Sequence, residues 1–304
     1  MRIDHAILSI GFRYFAAVAD AGSIRAAARE LNIASSAVNR QILLLEEALG
    51  LALFERLGRS LRLTEAGAIL HAQVRATMRD YEDTMGAIDA LRGLKRGRVR
   101  VATVESVSVS PLPGIVSSFR ARFPGIGIDL TVAGSDAVTA RVLAHEADLG
   151  FTFNPTSLDG LEVAFEKGMR IGALLAPDHP LAGRSELSLA DCLAYPHAWP
   201  ARGLSLRAAL DAALGHLRPR PVLESNSLRV MSALARAGQL IAFQPRVGIE
   251  QHLETGALVF IPLNDPTLAL DRLMLVRQQA RAATPAAEAF FEHVIGVLGD
   301  QPLE

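Results

Sequence analysis

Residues 30–47 read ELNIASSAVNRQILLLEE, and this stretch decides the fold of the first part of the chain. At about 100° per residue of helix, four polar side chains of this stretch fall within about 140° of arc. They are Ser35, Ser36, Asn39 and Arg40. The opposite side is apolar and holds Ala37, Val38, Ile42, Leu44 and Leu45. The pattern predicts a helix that packs by one face and offers hydrogen-bonding groups on the other.

Two further helices are predicted before this one. Phe12, Phe15, Ala16 and Ala19 repeat at helical spacing, and Gly22 ends that helix. A second helix follows Ser23, whose side chain is predicted to cap it. Asn32–Ala34 then form a short turn, in which asparagine tolerates a left-handed backbone. Helix, short turn and helix form a helix-turn-helix pattern, whose second helix enters the DNA major groove.

A short hairpin is predicted after these helices. In LFERLGRSLRLTEAG, residues 53–67, three arginines surround a turn at Gly58 between two short extended pieces. They are Arg56, Arg59 and Arg62. Such a wing would place arginines along the phosphate backbone of DNA or in its minor groove. An ordinary solvated hairpin is the alternative, and the order of the motifs favours the wing.

Composition and charge agree with a two-part organisation. The chain has 304 residues, of which 50% are hydrophobic and 21% charged, so we expect substantial cores and at least two domains. Residues 1–100 carry a net charge of +4 and residues 101–304 a net charge of −5. The chain start lacks a secretory signal pattern and no long apolar run occurs, so we expect a cytoplasmic protein without a membrane partner.

These motifs resemble a known family. The segments GSIRAAARELNIASSAVNRQI, LEEALG, LFER and LTEAG, within residues 12–67, resemble the winged helix-turn-helix of LysR-type transcriptional regulators. The resemblance implies that double-stranded operator DNA is the partner, with Ser35, Ser36, Asn39 and Arg40 facing it and the wing arginines supporting them. Ser35 stands where glutamine is frequent in the family and Asn39 where serine is usual. Leu43 stands where a basic residue is common.

A long helix is predicted from Thr64 to about Leu94. Its apolar residues are separated by three or four positions, close to a coiled-coil spacing. They are Leu70, Val74, Met78, Tyr81, Met85 and Ile88. No nearby segment is expected to cover this stripe, so a second copy of the helix is the expected partner, and the resemblance implies a homodimer through this linker and a homotetramer. The expected domains are residues 1–65 (winged helix-turn-helix), 66–94 (linker helix) and 95–304 (effector-binding domain).

The remainder of the chain predicts an α/β fold. VRVATV, GIDLTVA, DLGFTF and GALLAP have strand length, with helical stretches between several of them, which is typical of a parallel sheet covered by helices. The resemblance implies two α/β subdomains resembling periplasmic binding proteins. Subdomain I would include about 97–161 and 267–304, and subdomain II about 162–266.

A small-molecule site is expected at the carboxyl ends of these strands, where helix N-termini meet. Ser106 lies in ESVSVSPLP after the first strand, and Ser135 lies in AGSDAV after the second. Each could be a plain helix cap, but the pair at equivalent strand ends favours a pocket. Phe153, Arg202 and Asn226 are further candidates. Helix N-termini and hydroxyl groups favour a small organic anion as the effector.

An enzyme is the competing class. The sequence contains no phosphate-binding loop, no GxSxG and no HExxH motif, and its histidines share no metal-ligand spacing. We therefore predict no catalytic residue, no metal site and no cofactor. The sequence favours a DNA-binding regulator over a cytoplasmic small-molecule-binding protein or α/β enzyme with an accessory helical domain.

Overall fold

The computed structural model describes residues 9–57, 60–91, 96–279 and 283–300, and only the backbone of residues 56, 57, 90, 91 and 300. The chain forms two compact units, divided between Met85 and Gly86. Among the described residues, no helix combines the length and apolar composition that crossing a bilayer requires.

The first unit begins with three helices, α1 Ile10–Ala21, α2 Ile24–Leu31 and α3 Ser35–Leu49. Gly22 ends α1 with φ 61° and Asn32 ends α2 with φ 59°, so both turns use the left-handed conformation that the sequence predicts. Ser23 is the N-cap residue of α2, but its side chain makes no capping hydrogen bond, so that prediction was wrong.

The three helices enclose one core. Phe15, Val18, Ala27 and Val38 are fully buried in it, and Ile42 is 4% exposed. Two residues that were predicted to pack are exposed instead, Ala37 and Leu44. On α3 they lie about 100° to 160° round the helix axis from Val38 and Ile42, too far to reach the core. The packed face of α3 is therefore narrower than the sequence pattern predicts.

The predicted hairpin is formed by β1 Phe54–Leu57 and β2 Ser60–Leu63, which pair antiparallel. The long helix α4 follows as Glu65–Leu91. Gly67 lies where α4 crosses the chain before the hairpin, since a Cβ there would be 2.1 Å from the carbonyl oxygen of Leu53. Only glycine allows this close approach.

The first half of α4 packs within its own unit. Val74 is 3% exposed, and Leu70 and Met78 pack against the same core. His71 Nε2 lies 3.0 Å from Asp20 Oδ1 and thereby ties α4 to α1. The expectation that no nearby segment covers the apolar stripe is wrong for this half, because α1 and the hairpin cover it. Ile88, near the end of the stripe, is 38% exposed.

The second unit contains ten strands and eight helices among its described residues. The strands are β3 Gly97–Thr103, β4 Ile126–Val132, β5 Leu149–Phe153, β6 Leu161–Met169, β7 Gly172–Leu175, β8 Ala198–Pro200, β9 Leu223–Ser225, β10 Ala242–Gln244, β11 Val259–Pro262 and β12 Asp271–Gln278. The helices are α5 Glu105–Val109, α6 Leu112–Arg122, α7 Ser135–Leu143, α8 Leu189–Leu193, α9 Ser205–Ala213, α10 Leu228–Arg236, α11 Glu250–Glu254 and α12 Pro285–Asp300.

These elements form two lobes. The first lobe is a five-stranded sheet of order β4-β3-β5-β12-β6 with α5, α6, α7 and α12. The second lobe has the sheet β10-β7-β11, the pair β8-β9 and the helices α8–α11. Each lobe has its own buried cores. The α/β architecture with two subdomains is confirmed.

Two details differ from the sequence prediction. Strand β3 pairs parallel with β4 and β5, but β12 pairs antiparallel with β5 and β6, so the sheet is mixed rather than parallel. Because β6 pairs along its length with β12, the chain leaves the first lobe after Met169 rather than near residue 162. It re-enters the sheet at Asp271, close to the predicted return near residue 266.

Candidate nucleic-acid interface and ligand cavity

The polar face of α3 is presented to solvent. Ser35, Ser36 and Arg40 are exposed and Asn39 is partly buried, while Val38 and Ile42 hold the helix on the core. Among the described residues, none forms an ion pair or a hydrogen bond with the Arg40 side chain. The guanidinium group is therefore available to a partner. The N-terminal turn of α3 offers two hydroxyls beside it.

An apolar residue interrupts this polar face. Leu43 is 56% exposed and lies one helical turn beyond Asn39 and Arg40 on the same side of α3. Leu44 is 46% exposed and lies about 100° round the helix axis from Leu43, at the edge of the polar face beyond Arg40. The two leucines are thus similar in exposure and differ in direction.

The structure describes the side chain of one of the three wing arginines. Arg62 lies in β2 opposite Glu55 of β1, and its side chain is exposed. The side chain of Arg56 and the whole of Arg59 lie outside the described residues. Their predicted contacts with DNA remain predictions.

The second unit holds a cavity of about 400 Å³ between its two lobes. Its walls come from residues that follow the carboxyl ends of β3, β4 and β5 in one lobe and of β8, β9 and β10 in the other. Ligands of α/β proteins gather at such strand ends, and the volume suits a small molecule. All five residues predicted for the effector site line this cavity, namely Ser106, Ser135, Phe153, Arg202 and Asn226.

The two serines differ in their bonding. Ser135 begins α7, and its hydroxyl oxygen accepts a hydrogen bond from the backbone N–H of Phe153 at 3.3 Å. It therefore holds β5 to α7. The Ser106 side chain is 6% exposed and, within the described part of the chain, makes no hydrogen bond. Ser106 is the serine whose hydroxyl is open to a ligand.

The second lobe contributes charge and helix termini to the cavity. Arg202 is exposed on the wall and forms no ion pair with any residue that the structure describes. The first residues of α9 line the wall beside it, so their backbone N–H groups add partial positive charge. This side of the cavity therefore favours an anionic group.

The two acidic residues near the predicted anion loops are already engaged. Glu105 accepts hydrogen bonds from the Ser227 hydroxyl at 2.9 Å and from the backbone N–H groups of Leu228 and Arg229 at 2.7 and 3.4 Å. Asp136 accepts from the backbone N–H and the hydroxyl of Thr156 at 2.7 and 2.9 Å. Both carboxylates cap other segments.

A further acidic residue, which lies on the cavity wall, was not predicted from the sequence. Asp271 begins β12, is 2% exposed and lines the cavity. Burial raises its pKa from 3.8 to about 7, because the charged form is poorly solvated there. The signal in the sequence was a single acid at the start of the apolar strand DRLMLV, where the alternation of side chains can turn it inward.

No group of three or more His, Cys, Asp and Glu within the described ranges is placed to hold a metal ion.

Ser205 and Ser227, at the starts of α9 and α10, also line the cavity and were not predicted. They follow short strands that have weak sequence signals.

Comparison with known proteins gives consistent matches along the chain. The model of the LysR substrate binding domain matches residues 92–299, and the model of the bacterial regulatory helix-turn-helix protein, lysR family, matches residues 11–68. The RuBisCO operon transcriptional regulator of Allochromatium vinosum is 29% identical over 287 residues, which cover 93% of this chain and 94% of that protein. The HTH-type transcriptional regulator CbbR of Rhodospirillum rubrum is 28% identical, over 90% of this chain and 91% of that protein.

Solved structures show the same fold. The full-length CbnR in complex with its target DNA is similar with a TM-score of 0.69 and 21% identity, over 93% of this chain and 97% of that chain. At this identity the likeness concerns the fold.

Proposed function

The chain belongs to the LysR family of bacterial transcriptional regulators, with a DNA-binding and a small-molecule-binding domain, and from this premise we propose which residues carry the two activities. The curated relatives are regulators over nearly their whole length. The alternative of an α/β enzyme or a small-molecule-binding protein with an accessory domain is therefore set aside.

The polar face of α3 binds operator DNA. The observation that carries this proposal is the burial of Val38 and Ile42, which orients α3 so that Ser35, Ser36 and Arg40 face outward. Arg40 contacts a phosphate or a guanine edge, and the Asn39 carboxamide reads a base edge. The two serines donate to phosphate oxygens at the start of the helix.

The wing supports this contact. Arg62 is exposed on β2, and Arg56 and Arg59 are the other two arginines of the hairpin sequence. Arginines on such a hairpin add sequence-independent affinity by neutralising phosphates. DNA in the cytoplasm of a bacterium is the partner, so a cytoplasmic location is part of the proposal.

The cavity between the lobes binds a small organic anion as effector. Arg202, the start of α9 and the open hydroxyl of Ser106 offer positive charge and hydrogen-bond donors on its walls. Glu105 and Asp136 do not oppose an anion strongly, because both are engaged in capping. Ligand between two lobes can alter their relative position and thereby DNA binding.

The protein self-associates through the second half of α4. The first half is covered within its own unit, whereas Ile88 is exposed. An exposed apolar residue at the end of a heptad-like stripe favours pairing with a second copy. We expect homodimers by this contact and homotetramers from them.

A thermal-shift screen of small organic acids tests the cavity. A bound acid should raise the melting temperature of the parent by mass action. Arg202→Gln should abolish that rise without altering the melting temperature of the ligand-free protein, because Arg202 is exposed. Arg220→Gln, which removes an exposed arginine outside the cavity of the same lobe, should keep the rise. If an acid raises the melting temperature of both variants equally, the anion site lies elsewhere.

A further inference from the structure

Asp271 lies in an unusual environment for a carboxylate. It is 2% exposed, stands at the first position of β12 and forms part of the cavity wall. Buried acidic side chains are normally paired with a cation or hydrogen-bonded through both oxygens. The groups around its two carboxylate oxygens therefore show which kind of partner the side chain lacks.

Only one oxygen of Asp271 has a partner in the described part of the chain. Asn154 Nδ2 donates to Asp271 Oδ1 at 2.8 Å, and the Asn154 carbonyl oxygen accepts from the backbone N–H of Arg272 at 3.3 Å. The second bond fixes the amide so that its NH₂ group faces the carboxylate. No described Lys or Arg forms an ion pair with Asp271, and Oδ2 accepts no hydrogen bond.

The chemistry of the partner follows from this environment. Asn154 presents a donor and leaves the carboxylate as an acceptor. The oxygen without a partner belongs to a side chain that lines a cavity large enough for a small molecule. A cationic donor on a ligand would supply both the missing hydrogen bond and the missing charge.

The other walls of the cavity favour the opposite charge. Arg202 and the start of α9 are positive. The other carboxylate on the wall, Glu105, accepts a hydrogen bond from the N-terminus of α10. Asp271 is thus the one acid on the described wall with an open oxygen. The cavity has a cationic region and an anionic region.

We propose that Asp271 binds an ammonium group of the effector, so that the effector is a small amino acid or a related zwitterion rather than a simple organic acid. This inference rests on the proposed function of the cavity, in which Arg202 and its neighbours bind the carboxylate. Asp271 then determines which acids the cavity binds.

The test uses pairs of probes that differ only in the amino group. Alanine is compared with propanoate, valine with isovalerate, and phenylalanine with hydrocinnamate, by thermal shift and then by calorimetric titration of the full chain. We expect at least one amino acid to bind about tenfold or more tightly than its deaminated partner.

The variant Asp271→Asn keeps the size of the side chain and removes its charge. It should lower the affinity for the amino acid about tenfold and leave the affinity for the deaminated acid unchanged. Asp159→Asn, which removes an exposed carboxylate away from the cavity, should preserve the preference. The melting temperature of each ligand-free variant shows that it is folded.

Four results overturn the inference. A deaminated acid that binds the parent as tightly as the amino acid shows that the ammonium group is not recognised. A preference that survives in Asp271→Asn assigns the recognition to another residue. If acids of neither kind bind, the anion site itself is wrong and the inference fails with it, whereas binding of simple acids alone overturns only the role of Asp271.

Discussion

The Glu105 carboxylate accepts a hydrogen bond from the backbone N–H of Leu228 at 2.7 Å. Glu105 begins α5 in the first lobe, and Leu228 begins α10 in the second. One side chain therefore caps a helix across the cavity, and the negative charge lies at the positive end of the helix. This contact joins the two lobes at the wall of the ligand site.

Removing this cap should destabilise the second unit. Glu105→Ala leaves the N–H groups of Leu228 and Arg229 and the Ser227 hydroxyl without their acceptor, at a cost of about 1 to 3 kcal/mol. Urea unfolding followed by the fluorescence of Trp199, the single tryptophan, measures it. Glu146→Ala is the control, since it breaks an exposed ion pair with Arg141. Equal effects of the two variants would mean that the interlobe bonds contribute no more than an exposed ion pair.

Leu43 offers a test of the direction in which α3 faces DNA. Leu43→Lys adds a charge to the polar face and should tighten DNA binding, with the slope of log affinity against log salt steeper by about one. Leu44→Lys adds the same charge at the edge of this face, about 100° round the helix axis from Leu43, and should change both quantities less. Fluorescence anisotropy with the DNA that flanks the gene provides the measurement. A stronger effect at Leu44 would show that the helix lies in the groove by a different face.

Asp271 should make stability depend on pH. Its pKa is raised to about 7 in the folded protein, so the folded state holds the proton more tightly than the unfolded state, whose pKa is near 3.8. The free energy of unfolding therefore falls as pH rises from about 4 to 7. In Asp271→Asn this loss is absent, so the variant should gain stability relative to the parent between these pH values, by an amount on the order of a few kcal/mol.

Urea unfolding at the two ends of that pH range measures this difference. Asp159→Asn, which removes an exposed carboxylate of the same unit, is the control and should follow the parent. If the parent and Asp271→Asn lose stability in parallel, Asp271 is not the buried group that titrates.

Ile88 tests self-association. Ile88→Glu places a charge in the proposed apolar contact between two copies of α4 and should produce smaller species. Gln73→Glu, at an exposed position of the same helix, should leave the mass unchanged. Light scattering measures the mass of the parent and of both variants. An Ile88→Glu variant with the mass of the parent would place the contact outside this part of α4.

Local signals in the sequence were sufficient for the helix-turn-helix. Gly22 and Asn32 end their helices in the left-handed conformation, as only a few residue types readily do, and alanines mark the close crossing of α2. The pattern on α3 was read less well, because a helix offers more apolar positions than one core contact can bury. Ala37 and Leu44 therefore remained exposed.

Long-range pairing could not be predicted in the same way. The stripe on α4 has one period whether it packs on its own unit or on a second copy, and the burial of Val74 depends on where α1 and the hairpin lie. The chain leaves the first lobe after Met169 because β6 pairs with β12, which follows it in the chain by about a hundred residues. Asp271 was missed because its importance arises from strands and loops that meet only in the fold.

The cavity residues illustrate both cases. Ligand sites were expected at the ends of the strands, and the five residues chosen on that basis all line one cavity. They are Ser106, Ser135, Phe153, Arg202 and Asn226. Sequence position alone could not distinguish the Ser135 hydroxyl, which bonds the backbone of Phe153, from the open hydroxyl of Ser106. Their part in binding a ligand remains a prediction.

The central claim is that the polar face of α3 binds operator DNA, and Arg40 tests it most directly. The measurement is the affinity of the parent, Arg40→Ala and Arg220→Ala for the DNA flanking the gene, over a range of salt concentrations. Arg220 is an exposed arginine of the second lobe, so both variants lose the same charge. We predict that Arg40→Ala weakens binding by about 1 to 3 kcal/mol and lowers the salt slope by about one, with Arg220→Ala near the parent. An Arg40→Ala variant that binds as tightly as the parent would contradict the claim.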